Sequence, residues 1–346
     1  MFLFKFEVVI LDSKVWQELL VLESRDAVDR LYTQIHNRKL SANRTIAINN
    51  AAKQAREYFR NAFSSNYSVR PLLTFYGVAS LSRALILLLK SKGGEETLTA
   101  GHGLTAEDWR KNFSGELHKG LEGLLDLKVH LCKGLFVDLL EGTNNMSCVH
   151  VNSSGVDWTL NYDKPESNLS MSFGDVLTRL PDLTHELKIA GHASMSVIVN
   201  EMTYNAESGL NATVSPTSEC VREQFENLGY EVVTEKNIKA TAEVFSNKTA
   251  LFTHSFLNKQ FGSIPRLAMS PPVNGVGQLS EICLLYISSF YMSMLVRYFP
   301  TYWVSLVQGG KGDILWPAIY KAQQLVENTF PELVMELVEE MAKPKT

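Results

Sequence analysis

The sequence predicts an α+β protein, a discontinuous and mainly α-helical bundle that carries a β-rich insertion. Three observations lead there. Apolar residues recur at helical spacing through the first third of the chain. From about residue 126 the pattern changes to two-residue alternation, and toward the C-terminus it returns to helical spacing. Apolar stripes at both ends need partners, so the terminal helices should pack on one another despite their separation. The expected parts are N-terminal helices in 1–125, a mixed α/β insertion in 126–275 and C-terminal helices in 276–346.

Each element follows from local pattern. The apolar opening MFLFKFEVVI is interrupted by Lys5 and Glu7 and lacks a small-residue cleavage site, so it reads as a short strand rather than an export signal. Ser24 and Asp26 mark the start of a helix carrying Val28, Leu31, Tyr32 and Ile35 on one side. A second helix bears Ile48, Ala51, Ala52, Ala55, Tyr58, Phe59, Ala62 and Phe63 in one stripe and Lys53, Arg56, Glu57 and Arg60 on a face expected to meet water. The third, Pro71 to Leu89, is apolar almost all round except for Ser80, Ser82 and Arg83, and belongs at the centre of its bundle. Lys92-Gly93-Gly94 closes it.

Leu127, Val129 and Leu131 then alternate with Lys128, His130 and Cys132, and Met195, Val197 and Val199 repeat the pattern. Further strands are expected at Tyr230 to Thr234 and Ala250 to Phe256, with helices at Phe173 to Arg179 and Thr217 to Leu228. Ser270-Pro271-Pro272-Val273-Asn274-Gly275 ends the block. A helix from Leu279 to Tyr298 is ended or kinked by Pro300. A last helix from about Leu315 to Met341 contains Pro331, an expected break.

Composition bounds the function. With 45% hydrophobic and 20% charged residues, the chain has the makings of a large core, and disordered, collagen-like and disulfide-scaffold classes are excluded. The net charge of -4 gives no global attraction to nucleic acid but leaves a local basic patch open. Cys132, Cys148, Cys220 and Cys283 form no C-x-x-C pair and read as reduced thiols. The most membrane-like stretch, Leu284 to Val307, is broken by Arg297 and Pro300, so a cytoplasmic protein without a membrane span is expected, and the eight N-x-S/T triplets carry no glycosylation argument.

Nucleotide-loop, dinucleotide, hydrolase-elbow and zincin motifs are missing from the sequence. His185 and His192 have poor ligand spacing, and neither a metal nor another cofactor is expected. Arg30 and His36, five residues between them on a predicted helix, resemble the R-x4-6-H motif of the HEPN ribonucleases, a helical-bundle superfamily. That resemblance implies His36 acting on the 2′-hydroxyl or leaving group and Arg30 stabilising phosphate charge. A solvated helix face explains the same two residues.

A longer match begins at Arg70-Pro71-Leu72-Leu73-Thr74-Phe75-Tyr76-Gly77 and continues at Gly101-His102-Gly103, Gly134-Leu135-Phe136, Leu177 to Leu183 and Met294 to Trp303. Together these resemble the YaaC-like family of bacterial proteins. The chain departs from the family's basic character at Ala106-Glu107-Asp108-Trp109-Arg110-Lys111. The resemblance implies motif positions rather than a reaction, so their chemistry is read physically. Arg70 at the entrance of a buried helix needs a carboxylate or phosphate. His102 lies in a glycine turn that either binds an anion or reverses the chain. Arg297, Tyr298 and Trp303 read mainly as packing, with a guanidinium stacked on aromatic surface.

Three functions are therefore compared. The first is a non-catalytic interaction or scaffold protein, in a bacterial defence or stress module, that binds a protein partner, with RNA as the other candidate and self-association open. The second is a HEPN-like, metal-independent ribonuclease using Arg30 and His36. The third is a binding module for a phosphorylated small ligand, drawing on Arg70, Tyr76, His102 and Arg297.

Overall fold

The computed structural model describes residues 14–167, 169–246, 251–273 and 277–344. The strand expected within residues 1–10, and part of the proline-rich run at 270–275, lie outside them. The fold is α+β and mainly helical, with several small sheets.

Four helices open the chain: α1 (Lys14–Leu19), α2 (Arg25–His36), α3 (Ala42–Ser64) and α4 (Arg70–Leu89). Ser24 caps α2 by accepting from the Ala27 amide, and Asn37 ends that helix in the left-handed region. Helices α3 and α4 pack closely because Gly77 faces Phe59. A Cβ at Gly77 would stand 2.7 Å from that ring. Arg44, buried on α3, donates from Nε to the Leu87 carbonyl at 2.7 Å and from its guanidinium to that of Lys90, which satisfies the C-terminal end of α4.

The expected helical run does not continue to residue 125. A strand, β1 (His102–Glu107), precedes the short helices α5 (Trp109–Asn112) and α6 (Leu117–Glu122) and pairs antiparallel with β2 (Lys128–Gly134). Local pattern hid it, since two of its six positions are His102 and Gly103 and the stretch is too short to display a period. Helix α7 (Leu135–Gly142) returns to pack on α4. Strands β3 (Met146–Val149) and β4 (Trp158–Asn161) form a hairpin, and β5 (Ser170–Ser172) completes the sheet β1-β2-β5.

Helices α8 (Phe173–Leu177) and α9 (Thr184–Ile189) lead to a six-stranded sheet. It contains β6 (Val197–Asn205), β7 (Gly209–Val214), β8 (Glu231–Thr234), β9 (Asn237–Ala240), β10 (Phe252–Ser255) and β11 (Arg266–Met269), in the order β10-β11-β6-β7-β9-β8 with antiparallel pairings. Helix α10 (Glu219–Asn227) sets Val221 and Phe225 into a second, smaller core, and α11 (Ala242–Ser246) and α12 (Leu257–Gln260) sit in the connections.

Helices α13 (Glu281–Tyr298), α14 (Pro300–Val307) and α15 (Trp316–Ala342) close the chain. Both α13 and α15 pack on α4, as the unmatched stripes predict. Pro300 does turn the chain, and α14 leaves α13 at 109°. Pro331, by contrast, breaks nothing: α15 runs through it. The buried neighbours Phe330, Leu333, Val334 and Leu337 hold the helix in the main core, which offsets a proline cost of about 3 kcal/mol. By length and composition α4 could cross a membrane, but its residues are buried among α3, α13 and α15.

Candidate functional site

Tyr76 and Arg83 stand seven residues apart on α4 and therefore share a face. From α13, Arg297 donates a guanidinium hydrogen bond to the Tyr76 hydroxyl, with its carbon 5.5 Å from the Tyr76 ring and 5.7 Å from that of Tyr298. Tyr58 of α3 stacks on Tyr76 at 5.4 Å. Arg297 has no carboxylate partner among the described residues, and Arg83 has Glu95 at a long 3.9 Å.

His102 joins this face from the start of β1. Gly101 and Gly103 flank it at φ of 91° and 81°, where the register slips by a bulge. Glycine is required twice over: a Cβ on Gly103 would meet the Phe136 amide at 2.6 Å, and one on Gly134 would meet the Gly103 amide at 2.2 Å. The Tyr286 hydroxyl donates to the His102 carbonyl at 3.0 Å, and the imidazole rests edge-on against Phe75 at 5.0 Å. Burial, followed by the positive charges of Arg297 and Arg83, pushes the His102 pKa below the usual imidazole value. The neutral form of the ring is thus favoured, within the field of two arginines.

Four separate sequence stretches meet here: the helix carrying Tyr76, the His102 turn, the Gly134-Leu135-Phe136 element and the end of α13. The pattern of the YaaC-like Protein family matches residues 21–338. The chain belongs to the YaaC-like family. No curated protein and no solved structure matches it.

The fifth stretch of the YaaC-like pattern has a structural explanation. Arg179, buried after α8, donates to the carbonyls of Pro271 and Pro272 at 2.8 Å each and pins that segment. Arg70 likewise belongs to a network of its own. It forks onto the buried Glu327 carboxylate of α15, with Nε at 2.7 Å, and the same carboxylate accepts from Thr74 at 3.0 Å and Gln323 at 2.8 Å. Its carboxylate comes from within the chain, and it does not join the His102 face.

Arg30 and His36 are turned to different tasks in this YaaC-like protein. Arg30 is exposed and lines a groove of about 530 Å³ with Asp29, Thr33, Gln34, Lys39 and Leu40. His36 is half-buried, its Nε2 bonded to the Leu88 carbonyl at 2.9 Å and its ring 4.3 Å from Tyr32. The solvated face expected for α3 is also qualified, because Arg56 forks onto Glu23 with Nε at 2.7 Å.

A further polar cluster, invisible in the sequence, seals the junction between the two cores. Glu336 of α15 pairs with Lys259 of α12 and lies 3.1 Å from His150, just beyond β3. That contact is off the line of a well-directed hydrogen bond, though the two groups are close enough to interact strongly. Burial alone would lower the His150 pKa, but the Glu336 carboxylate raises it. Burial would raise that of Glu336, yet His150 and Lys259 hold it down. Nearby, His254 on β10 donates from Nδ1 to Glu281 of α13 at 3.0 Å and accepts the His150 amide on Nε2 at 3.1 Å. Both imidazoles are fully enclosed, which makes this cluster a structural joint.

Proposed function

We propose that this YaaC-like protein is a non-catalytic binding protein that captures a phosphate-bearing ligand on the face formed by Tyr76, Arg83, His102 and Arg297. The observation that supports it is Arg297, half-buried and without a described carboxylate partner, sharing a face with an imidazole whose protonation is disfavoured by burial and then by positive charge. A planar guanidinium suits a phosphate oxygen pair, and neutral His102 supplies a further N–H donor. Among the described residues His102 is not paired with a carboxylate that would orient it as a base, which favours capture over catalysis. The ribonuclease reading gains nothing from His36, whose Nε2 is taken up by the Leu88 carbonyl.

Titration with inorganic tripolyphosphate, followed by calorimetry and by the imidazole resonances, tests this reading. Bound anion should raise the His102 pKa, and Arg297→Ala should weaken binding about tenfold or more, the usual cost of losing a charge-assisted hydrogen bond. His36→Ala should leave binding unchanged. An unmoved His102 resonance, or equal affinity in Arg297→Ala, overturns it.

A further inference from the structure

Beside the cationic face lies a groove of about 400 Å³, lined by Ala106, Trp109, Met294, Tyr298 and Phe299 and by the charged Asp108, Arg110 and Lys111. Its position follows from helix geometry. Met294 and Tyr298 are four residues apart on α13 and face the groove together, whereas Arg297 is rotated by one residue toward Tyr76. Tyr298 is consequently a partition. One side of its ring is 5.7 Å from the Arg297 guanidinium, and its body walls the groove. The sharp turn at Pro300 leaves it at the helix end, 57% exposed.

The charges are arranged around that ring. Arg297 lies against one side, with Arg83 sharing its influence on His102, and Arg110 lines the groove that the ring walls. Lys111 is engaged by Asp108 at 2.7 Å, whereas Arg110 is exposed and has no carboxylate partner among the described residues. A single phosphate leaves Arg110 unused. Cation, exposed aromatic, cation is the order in which a single strand presents phosphate, base and phosphate.

We infer that the ligand is a single-stranded nucleic acid, which sets a base in the groove against Tyr298 and its flanking phosphates on the Arg83–Arg297 pair and on Arg110. This rests on the phosphate-binding reading and extends it to a polymer. With a net charge of -4 the protein has no general attraction for nucleic acid, so binding is confined to this patch and a duplex, with its bases stacked inside, cannot use the groove.

Fluorescence anisotropy with short labelled strands of polyuridine and polythymidine, a duplex of equal length and tripolyphosphate as competitor tests the inference. Single strands should bind at least tenfold more tightly than duplex. The logarithm of affinity should fall with the logarithm of salt at a slope of about -1.4, as two phosphate contacts require. Tyr298→Ala should weaken the strands about tenfold or more while Tyr298→Phe retains them, and Arg110→Ala should flatten the salt slope. Since Tyr298 and Arg110 are surface residues, circular dichroism should show both variants folded. If tripolyphosphate shifts His102 but strands bind no better than duplex, or Tyr298→Ala binds them as well as the wild type, the polymer inference fails and the phosphate face stands. If neither tripolyphosphate nor strand binds, both fall.

Discussion

Arg70, Arg56 and Arg60 show how far a single residue can be read from its neighbours in sequence. Arg70 was legible because Pro71 and an apolar helix follow it, which forces a partner on any guanidinium placed there. Arg56 was not, because the stripe of one helix says nothing about the carboxylate that a preceding turn lays across it. The face proposed to take phosphate was partly legible: Tyr76, His102 and Arg297 lay in motif stretches, while Arg83 was visible merely as an exception in an apolar helix. The three arginines rank by burial of their ion pairs. Arg70→Ala should cost about 3–5 kcal/mol by stranding Glu327, which is fully buried. Arg60→Ala, at an exposed pair with Glu57, should cost about 0–1 kcal/mol, with Arg56→Ala between them. Denaturant melts of the three variants measure this order, and equal shifts would refute it.

Helices proved more legible than strands because a helix displays its period over many residues. The stretches read as α3, α4, α13 and α15 agree closely with the structure, whereas β1 was missed and the effect of Pro331 was overestimated, both being decided by tertiary packing. Packing also created the joint between α15, α12 and the segment after β3, and this joint should respond to pH. His150 has a folded pKa above 6.5, so its contribution is complete below 6.5 and is lost as pH rises through the folded value. Glu336 has a folded pKa below 4.5, so its contribution is present above 4.5 and is lost as pH falls through the depressed value. Both act together between pH 4.5 and 6.5. Stability measured from pH 6 to 8.5 should therefore decline more steeply in the wild type than in His150→Gln. Parallel profiles would show that His150 does not titrate in this window.

At the scale of the whole molecule, the helical stripes revealed that the two ends meet, but they could not reveal the order β10-β11-β6-β7-β9-β8. That order depends on pairings such as Ala268 with Ile198, between residues distant in sequence. The closure of the ends has a measurable counterpart. Fragment 1–125 contains α4 without α13 and α15, leaving the apolar surface that those helices cover open to water. Expressed alone it should collect mostly in the insoluble fraction, while the full chain stays soluble. A soluble, monomeric and helical fragment would show instead that the N-terminal helices complete a core by themselves.

The bond between Arg70 and Glu327 also sets a timetable for birth on the ribosome. The two residues are separated by 257 positions, so at about 5–20 residues per second Arg70 leaves the tunnel roughly 13–50 s before its carboxylate does. Throughout that interval the nascent chain carries a guanidinium and an apolar helix awaiting a partner still being translated. The cover of α4 is therefore incomplete until α15 arrives.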